Sequence, residues 1–412
     1  RSQGGQGSCA AWATAYYYNT YTQAKDENIN VSGGNNNHIC SPAFIYNLNN
    51  HGEDSGSGLY SGMARLNEVG VSSWNLMPYD QNDWTTWPSE AAWVDGIKRR
   101  TAETFSIGSW SSGFNDTDIE LLKQHLANGN IAVTNTVVYS NWKYNYPDDT
   151  TGIDNGVLFA NSGEKRSGHS LTIVGYDDNK SYYDGSTTKY GAFLIANSWG
   201  NDWGVSNTAG GSSKGFMWVS YDFFKEDNDC FGYAYYNSDR PEYRSNLYAV
   251  TALNHSQRGF VSYYGGVGSV SSPVWTSQYA LYELGGTNLG IDSGRPVSLD
   301  LSDGINKIAF PEVELFVKMK LNSSASGSGT ISSALFYHDF DGDGVFKSIT
   351  SPDPVVSVAS GSTENATVSF LYGMLDPLAV TPSKPYEAAG NPEGPFSPEA
   401  KTYTLTNTGS SA

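Results

Sequence analysis

Cysteine is scarce in this chain: among 412 residues there are three, Cys9, Cys40 and Cys230. That number excludes a disulfide-dense scaffold and a cysteine-rich zinc or iron–sulfur module. Basic residues are also few, 24 Lys and Arg against 42 Asp and Glu, for a net charge of −18. Such a balance argues against nucleic acid and anionic membranes as partners. No apolar run is long enough to span a bilayer, and no signal peptide is visible. His38, His51, His125, His255 and His338 show no zinc spacing. The length itself allows two or more domains with cores of their own.

Three short stretches carry chemistry: Gln3-Gly4-Gly5-Gln6-Gly7-Ser8-Cys9, Ser167-Gly168-His169-Ser170 and Ala196-Asn197-Ser198-Trp199-Gly200. Together they supply what thiol catalysis needs. Cys9 would be the nucleophile, His169 the base that makes it a thiolate, and Asn197 the group that orients the imidazole. Gln3, a few residues ahead of the cysteine, would donate a hydrogen bond to an oxyanion. The run Ala10-Ala11-Trp12-Ala13-Thr14-Ala15 suits a helix opening at Cys9, where the helix dipole and a nearby imidazolium both favour the thiolate. Taken singly, Cys9 reads as a small buried hydrophobe and His169 as a satisfied strand residue.

In this order, with these flanks, the three stretches resemble the papain-like cysteine peptidases. About 160 residues separate Cys9 from His169, somewhat more than the usual roughly 130–150. An insertion over 139–165, rich in Asn, Asp and Gly, would account for the excess. Gly200-Asn201-Asp202-Trp203-Gly204 extends the family's Asn-Ser-Trp-Gly pattern, and Gly56-Ser57-Gly58-Leu59 matches its glycine-rich segment. The resemblance implies a two-lobe α+β fold over residues 1–240, a helical lobe beside a β-barrel-like lobe. It implies substrate contacts at Ser57, Gly58, Gly168 and Trp199, with Trp199 shielding the His169–Asn197 hydrogen bond, and protein or peptide as substrate. No cofactor is implied for the catalysis. Two positions depart from the pattern: Gln6 stands where the family commonly has a disulfide cysteine, and Ala10 where it has Trp. The chain begins only a short way ahead of Cys9, which reads as a trimmed or processed end. Cys40 and Cys230 are then left as a bridge or as two buried free thiols. A bridge would close a loop of about 190 residues, worth on the order of 5 kcal/mol in a chain-entropy account.

Past Asp239-Arg240-Pro241-Glu242 the texture turns to short alternating runs between Gly/Ser turns, which predicts a β-sandwich over residues 241–380. In its clearest strand Val313, Leu315, Val317, Met319 and Leu321 would line one buried face. Other predicted strands are 247–253, 260–264, 278–284, 330–337 and 367–372. Asp339-Phe340-Asp341-Gly342-Asp343-Gly344 places three carboxylates at alternate positions, a pattern suited to Ca²⁺ or else an acidic turn. It resembles the first half of an EF-hand loop, but the twelfth position is Thr350, so Asp353 is one candidate to complete it. Residues 381–412 read as a proline-rich linker and the start of an immunoglobulin-like repeat of the kind common in large secreted bacterial proteins. The expectation is a secreted or extracellular, monomeric, multidomain cysteine endopeptidase, attached to a cell surface if further domains follow. Two alternatives stay open: an idle papain-like fold acting as a binding or surface module, and a transpeptidase in which an amine replaces water.

Overall fold

The computed structural model describes the chain apart from residues 110–112, 143–151, 205–214, 227–230, 242, 281–288, 293, 306, 308–311, 340–342, 351–355, 360–365, 374–378, 382–388, 391–395, 398–403 and 407–412. Side chains are described as far as residue 359, apart from those of residues 226, 278–280, 312, 313 and 350.

Local chemistry sets the helices. Ser41 accepts from the Phe44 N–H and Pro42 opens the first turn, so Pro42–Asn49 forms as its sequence predicts. Asn115 and Asp118 make a reciprocal capping box at the head of Asp116–Ala127, whose Ile119, Leu122 and Leu126 are buried along one face. The first helix is built in three consecutive pieces. Cys9–Ala11 is α-helical, Trp12–Asn19 is wound as a π-helix, and Thr20–Asp26 is α-helical again. With Leu59–Glu68 and Glu90–Ile97 these helices form one lobe.

The other lobe is a sheet of eight described strands: β1 Thr104–Gly108, β2 Ala132–Tyr139, β3 Ile153–Asp154, β4 Val157–Leu158, β5 Lys165–Tyr183, β6 Thr188–Ala196, β7 Phe216–Ser220 and β8 Tyr233–Asn237. Their order is β1-β8-β2-β5-β6-β7-β4-β3. The segment read from sequence as a surface insertion does more than loop out. Its part 152–164 contributes β3 and β4, and β4 adds to the sheet parallel to β7. β5 continues past Asp177. It runs on to Tyr183 through a register shift between Asp177 and Ser181.

The lobes are pinned together by hydrogen bonds from the first helix into the sheet. Tyr17 Oη donates to the Asn197 carbonyl at 2.8 Å, Tyr18 Oη to the Asn237 carbonyl at 3.0 Å, and the Thr172 hydroxyl to the Ala13 carbonyl at 3.3 Å. Their sequence separation hid them from local reading.

Beyond the sheet lobe, nine described strands form two sheets: β9 Leu247–Asn254, β10 Val261–Ser269, β11 Ser272–Ala280, β12 Val297–Asp300, β13 Glu312–Leu321, β14 Gly329–His338, β15 Lys347–Thr350, β16 Val356–Val358 and β17 Ala366–Gly373. One sheet has the order β11-β10-β13-β17, the other β12-β9-β14-β15 with β16 also on β14. The sheets face each other. A side chain on Gly265 of β10 would strike Leu299 of β12, and Tyr263 of β10 bonds Thr251 of β9. Leu315, Val317, Met319 and Leu321 are buried as their alternation predicts, while Val313's side chain lies outside the described residues. Phe316 is buried too, on the opposite face, where it fills the space over Gly266. Sequence reading missed β12, β15 and β16, all short, and placed β11 several residues late.

This sandwich packs on the helical lobe. Arg100 pairs with Asp300 at 2.7 Å, Arg240 with Asp303 at 2.6 Å, and Trp87 Nε1 donates to the Pro296 carbonyl at 2.7 Å. Near the C-terminus Ala379–Thr381 pairs with Thr404–Thr406, and Ala389–Gly390 with Phe396–Ser397. The second pair lies inside the stretch expected to be linker.

Candidate active site

Cys9 stands at the start of the first helix, half-buried, where the leading N–H groups have no intrahelical partner. Its thiol pKa lies below the ordinary value. Burial pushes it up, but the hydrogen bond and charge of His169, together with the Ser170 amide and hydroxyl, outweigh that penalty.

His169 comes from β5 and is buried. Its Nε2 lies 2.7 Å from Asn197 Oδ1, which leaves Nδ1 to face the sulfur. Asn197 is 1% exposed and sits just past the end of β6, held by its N–H to the Gly215 carbonyl at 2.9 Å. Its Oδ1 also accepts from the Ser198 N–H at 2.7 Å, so the carbonyl end of the amide is fixed toward the ring. Trp199 covers this pair, its ring 4.6 Å from the imidazole, and Trp203 packs edge-on behind it at 5.4 Å. Gly200 makes the turn between these tryptophans possible with φ of +94°.

Gln3 is buried beside Ser198. Its backbone N–H donates to the Ser198 carbonyl at 2.8 Å, its Oε1 accepts from the Ser198 hydroxyl, and its Nε2 donates to the Gln6 carbonyl at 2.8 Å. One amide hydrogen is committed in this way; the second is available to a ligand.

The loop carrying Gln3 and Cys9 is braced by residues that the sequence motifs did not single out. Tyr79 Oη donates to the Gln3 carbonyl at 2.7 Å and meets the Ser8 hydroxyl at 2.8 Å. Gly5 N–H donates to Gln81 Oε1 at 2.8 Å, and Gly7 N–H to Asp54 Oδ1 at 2.8 Å. Gln6, at the position of the family's disulfide cysteine, is buried and sends Nε2 toward the carbonyls of Asp80, Gln81 and Asp83 at 3.2–3.3 Å. Hydrogen bonds to one short loop thus do the work of the missing bridge. Spacing offered no signal for these partners.

Gly56, Ser57 and Gly58 lie alongside. Gly58 precedes Leu59–Glu68, and a Cβ on Gly7 would come 2.9 Å from the Gly56 nitrogen. Ser57 Oγ is buried with no partner among the described residues. Gly168 is exposed next to His169, with nothing within 4 Å of where a Cβ would be.

The remaining sequence candidates fall elsewhere. Cys40 is a free thiol, fully buried, receiving Asn19 Nδ2 at 3.6 Å; burial pushes its pKa up. Cys230 lies outside the described residues, so only the Cys40 half of the pair considered from sequence is described. In the acidic loop, Asp339 accepts from the Gly344 N–H at 3.1 Å and Asp343 from the Val345 N–H at 2.7 Å, while Asp341 lies outside the described residues. No helix among the described residues is long and apolar enough to cross a membrane.

Comparison with known proteins gives one family. The model of the papain family cysteine proteases matches residues 1–211. An uncharacterized peptidase C1-like protein of Acanthamoeba polyphaga mimivirus is 26% identical over 231 residues, which is 55% of this chain and 65% of that protein. The chain thus spans just under two thirds of that curated relative's length. Among solved structures, xylellain, a cysteine protease from Xylella fastidiosa, is 21% identical, covering 58% of this chain and 82% of its own, with a TM-score of 0.41. The cysteine protease and lectin-like domains of Cwp84, a surface layer associated protein of Clostridium difficile, are 14% identical, covering 90% and 84%, with a TM-score of 0.39. With the family model matched over half of its length, the chain belongs to the papain family of cysteine proteases.

Proposed function

We propose that the protein is an active, secreted endopeptidase in which Cys9, His169 and Asn197 are the catalytic residues and Gln3 is an oxyanion donor. One observation carries this reading: the thiol of lowered pKa touches an imidazole whose far nitrogen is fixed to Asn197 at 2.7 Å. The Cys9 thiolate adds to the scissile carbonyl carbon, and the electron pair moves onto oxygen. The Cys9 N–H, free at the helix start, and the second Gln3 amide hydrogen stabilise that oxyanion. The His169 imidazolium passes its proton to the leaving amine, leaving a thioester on Cys9. Water, deprotonated by the same imidazole, then releases the acid. Ser57, Gly58, Gly168 and Trp199 are proposed to contact substrate; Trp199 packs on the His169 ring, and Gly168 precedes His169 in β5. Placement outside the cell rests on the sequence of the C-terminal segment. Labelling by a thiol-directed epoxide, read out as adduct mass on the Cys9 peptide, tests the site; cleavage of a peptide library by the pure protein tests the activity.

Gln3→Ala is expected to lower kcat by roughly 10²–10³, as loss of one oxyanion donor does. The loss should fall on kcat and spare KM, because the charge exists only in the transition state. A change confined to KM would instead make Gln3 a substrate-positioning group.

We also propose that the acidic loop binds a structural Ca²⁺ serving the sandwich. Asp339 Oδ1 and Asn246 Oδ1 are both buried without a donor among the described residues, and the two residues are tied by the Asp339 N–H to the Asn246 carbonyl at 2.9 Å. Bare buried oxygens suit a hard cation, and Asp341 and Asp343 are the further ligands that the sequence offers. At a hundredfold excess over Kd, Ca²⁺ is expected to add about 2.7 kcal/mol to the domain that holds it. A chelator should lower that domain's melting transition. A transition indifferent to chelator and to added Ca²⁺ leaves only an acidic turn.

A further inference from the structure

The π-helix Trp12–Asn19 turns two adjacent tyrosines onto the sheet. Its last turn closes from the Thr20 N–H to the Ala15 carbonyl, five residues back. A helix with more residues per turn separates successive side chains by a smaller angle, so Tyr17 and Tyr18 leave it on the same side. Tyr18 Oη meets Asn237 at the end of β8, donating to its carbonyl at 3.0 Å and accepting from its N–H at 2.7 Å. Tyr17 Oη donates to the carbonyl of Asn197, just past the end of β6, at 2.8 Å. β2 and β5 lie between the strands that the two hydroxyls reach.

These grips are alike as structure and differ in what lies behind them. Asn237 turns its own amide to the Met63 carbonyl, Asn67 and Thr101, none of them part of the proposed chemistry. The Asn197 carbonyl belongs to the peptide whose N–H, on Ser198, donates to Asn197 Oδ1 at 2.7 Å. That same Oδ1 is 2.7 Å from His169 Nε2. The other end of the side-chain amide, Nδ2, is buried with no partner among the described residues. The amide is therefore aligned from its oxygen end, and the Ser198 N–H is what fixes that oxygen from the protein side. A peptide unit is planar, so a hydroxyl that holds its carbonyl also sets the direction of its N–H. Without that hydroxyl the unit is free to tilt, which carries the Ser198 N–H off Oδ1 and leaves the imidazole without a fixed orientation.

We propose that Tyr17 is a positioning residue for the base: it clamps the peptide that aligns Asn197, and through Asn197 the imidazole of His169. The proposal rests on the catalytic roles given above to Cys9, His169 and Asn197.

Tyr17→Phe removes the hydroxyl and keeps the ring. In the full-length protein, kcat and KM are measured on a peptide that the wild type cleaves. kcat is expected to fall roughly tenfold with KM unchanged, because a small misplacement of the base costs rate and not substrate binding. Tyr18→Phe breaks two hydrogen bonds of the same kind and is the structural control. It should lower the melting temperature at least as much as Tyr17→Phe and leave kcat within about twofold of wild type. In an Asn197→Ala background the carbonyl remains but the amide it aligns is gone, so Tyr17→Phe should there cost less than about twofold. Circular dichroism confirms folding, and Tyr17→Met, which also lacks the hydroxyl, is read in the same way should Tyr17→Phe not fold. An unchanged kcat, a loss confined to KM, an equal fall in Tyr18→Phe, or the full loss repeated in the Asn197→Ala background each overturns the positioning role while Cys9 stands as nucleophile. A wild type that neither cleaves peptides nor labels at Cys9 overturns the catalytic reading and the positioning role together.

Discussion

Cys9→Ala abolishes hydrolysis and leaves the molecule folded. The expected fall in turnover is roughly 10⁴–10⁶, since an alanine methyl cannot attack a carbonyl and the thioester step is lost. The fold should survive because the exchange suits its surroundings. Ala10 and Ala11 already follow Cys9 in the helix, alanine has the best helix propensity, and the sulfur is half-buried, not a core plug. The Ser8 carbonyl still accepts from the Trp12 N–H at 3.0 Å, so the first turn closes as before. His169 keeps its bond to Asn197 and its contact with Trp199. The melting temperature of the peptidase domain is expected to stay within about 2–4 °C of wild type, the span of roughly 1 kcal/mol in a domain of about 150–250 residues. Turnover measured on the purified variant settles it: undiminished cleavage by a folded Cys9→Ala protein ends the nucleophile assignment.

How much of this was legible in the sequence depends on how far apart the interacting residues lie. The helix at Pro42 was readable because its serine cap and first-turn proline act within one turn. Leu315, Val317, Met319 and Leu321 were readable because a two-residue period states which face is covered. The four residues proposed for chemistry stood out because their neighbours make recognisable local runs. What holds them in place was not readable. Tyr79, Gln81 and Asp54 reach the Gln3–Cys9 loop from 47–76 residues away, and Tyr17 reaches Asn197 across 180. Asn135 and Ser170 meet only because β2 and β5 pair in one register. Short strands such as β12 and β15 carry too few alternations to announce themselves, and their edges are set by pairing with β9 and β14.

His169→Ala carries the second largest loss, and its consequences separate orientation from chemistry. Without the imidazole, burial still pushes the Cys9 thiol pKa up, and only the Ser170 donors remain to oppose it. The thiolate fraction near neutral pH therefore collapses, and no acid is left to protonate the leaving amine. A fall in kcat of roughly 10⁴ or more is expected, close to that of the nucleophile itself. Cys9 alkylation should move to higher pH in the same variant, because above the raised pKa the thiolate forms without help. The structural cost is limited. Asn197 Oδ1 keeps the Ser198 N–H at 2.7 Å, so deleting the ring strands no buried carbonyl, and the loss is chiefly the packing against Trp199. That deletion also leaves an imidazole-shaped space between Asn197, Trp199 and Cys9, so added imidazole should restore part of the rate. Asn197→Ala is expected to retain much more activity than His169→Ala, since the base persists and only its alignment suffers. Equal losses in the two variants, with no rescue by imidazole, would mean that His169 holds the loop together and moves no proton.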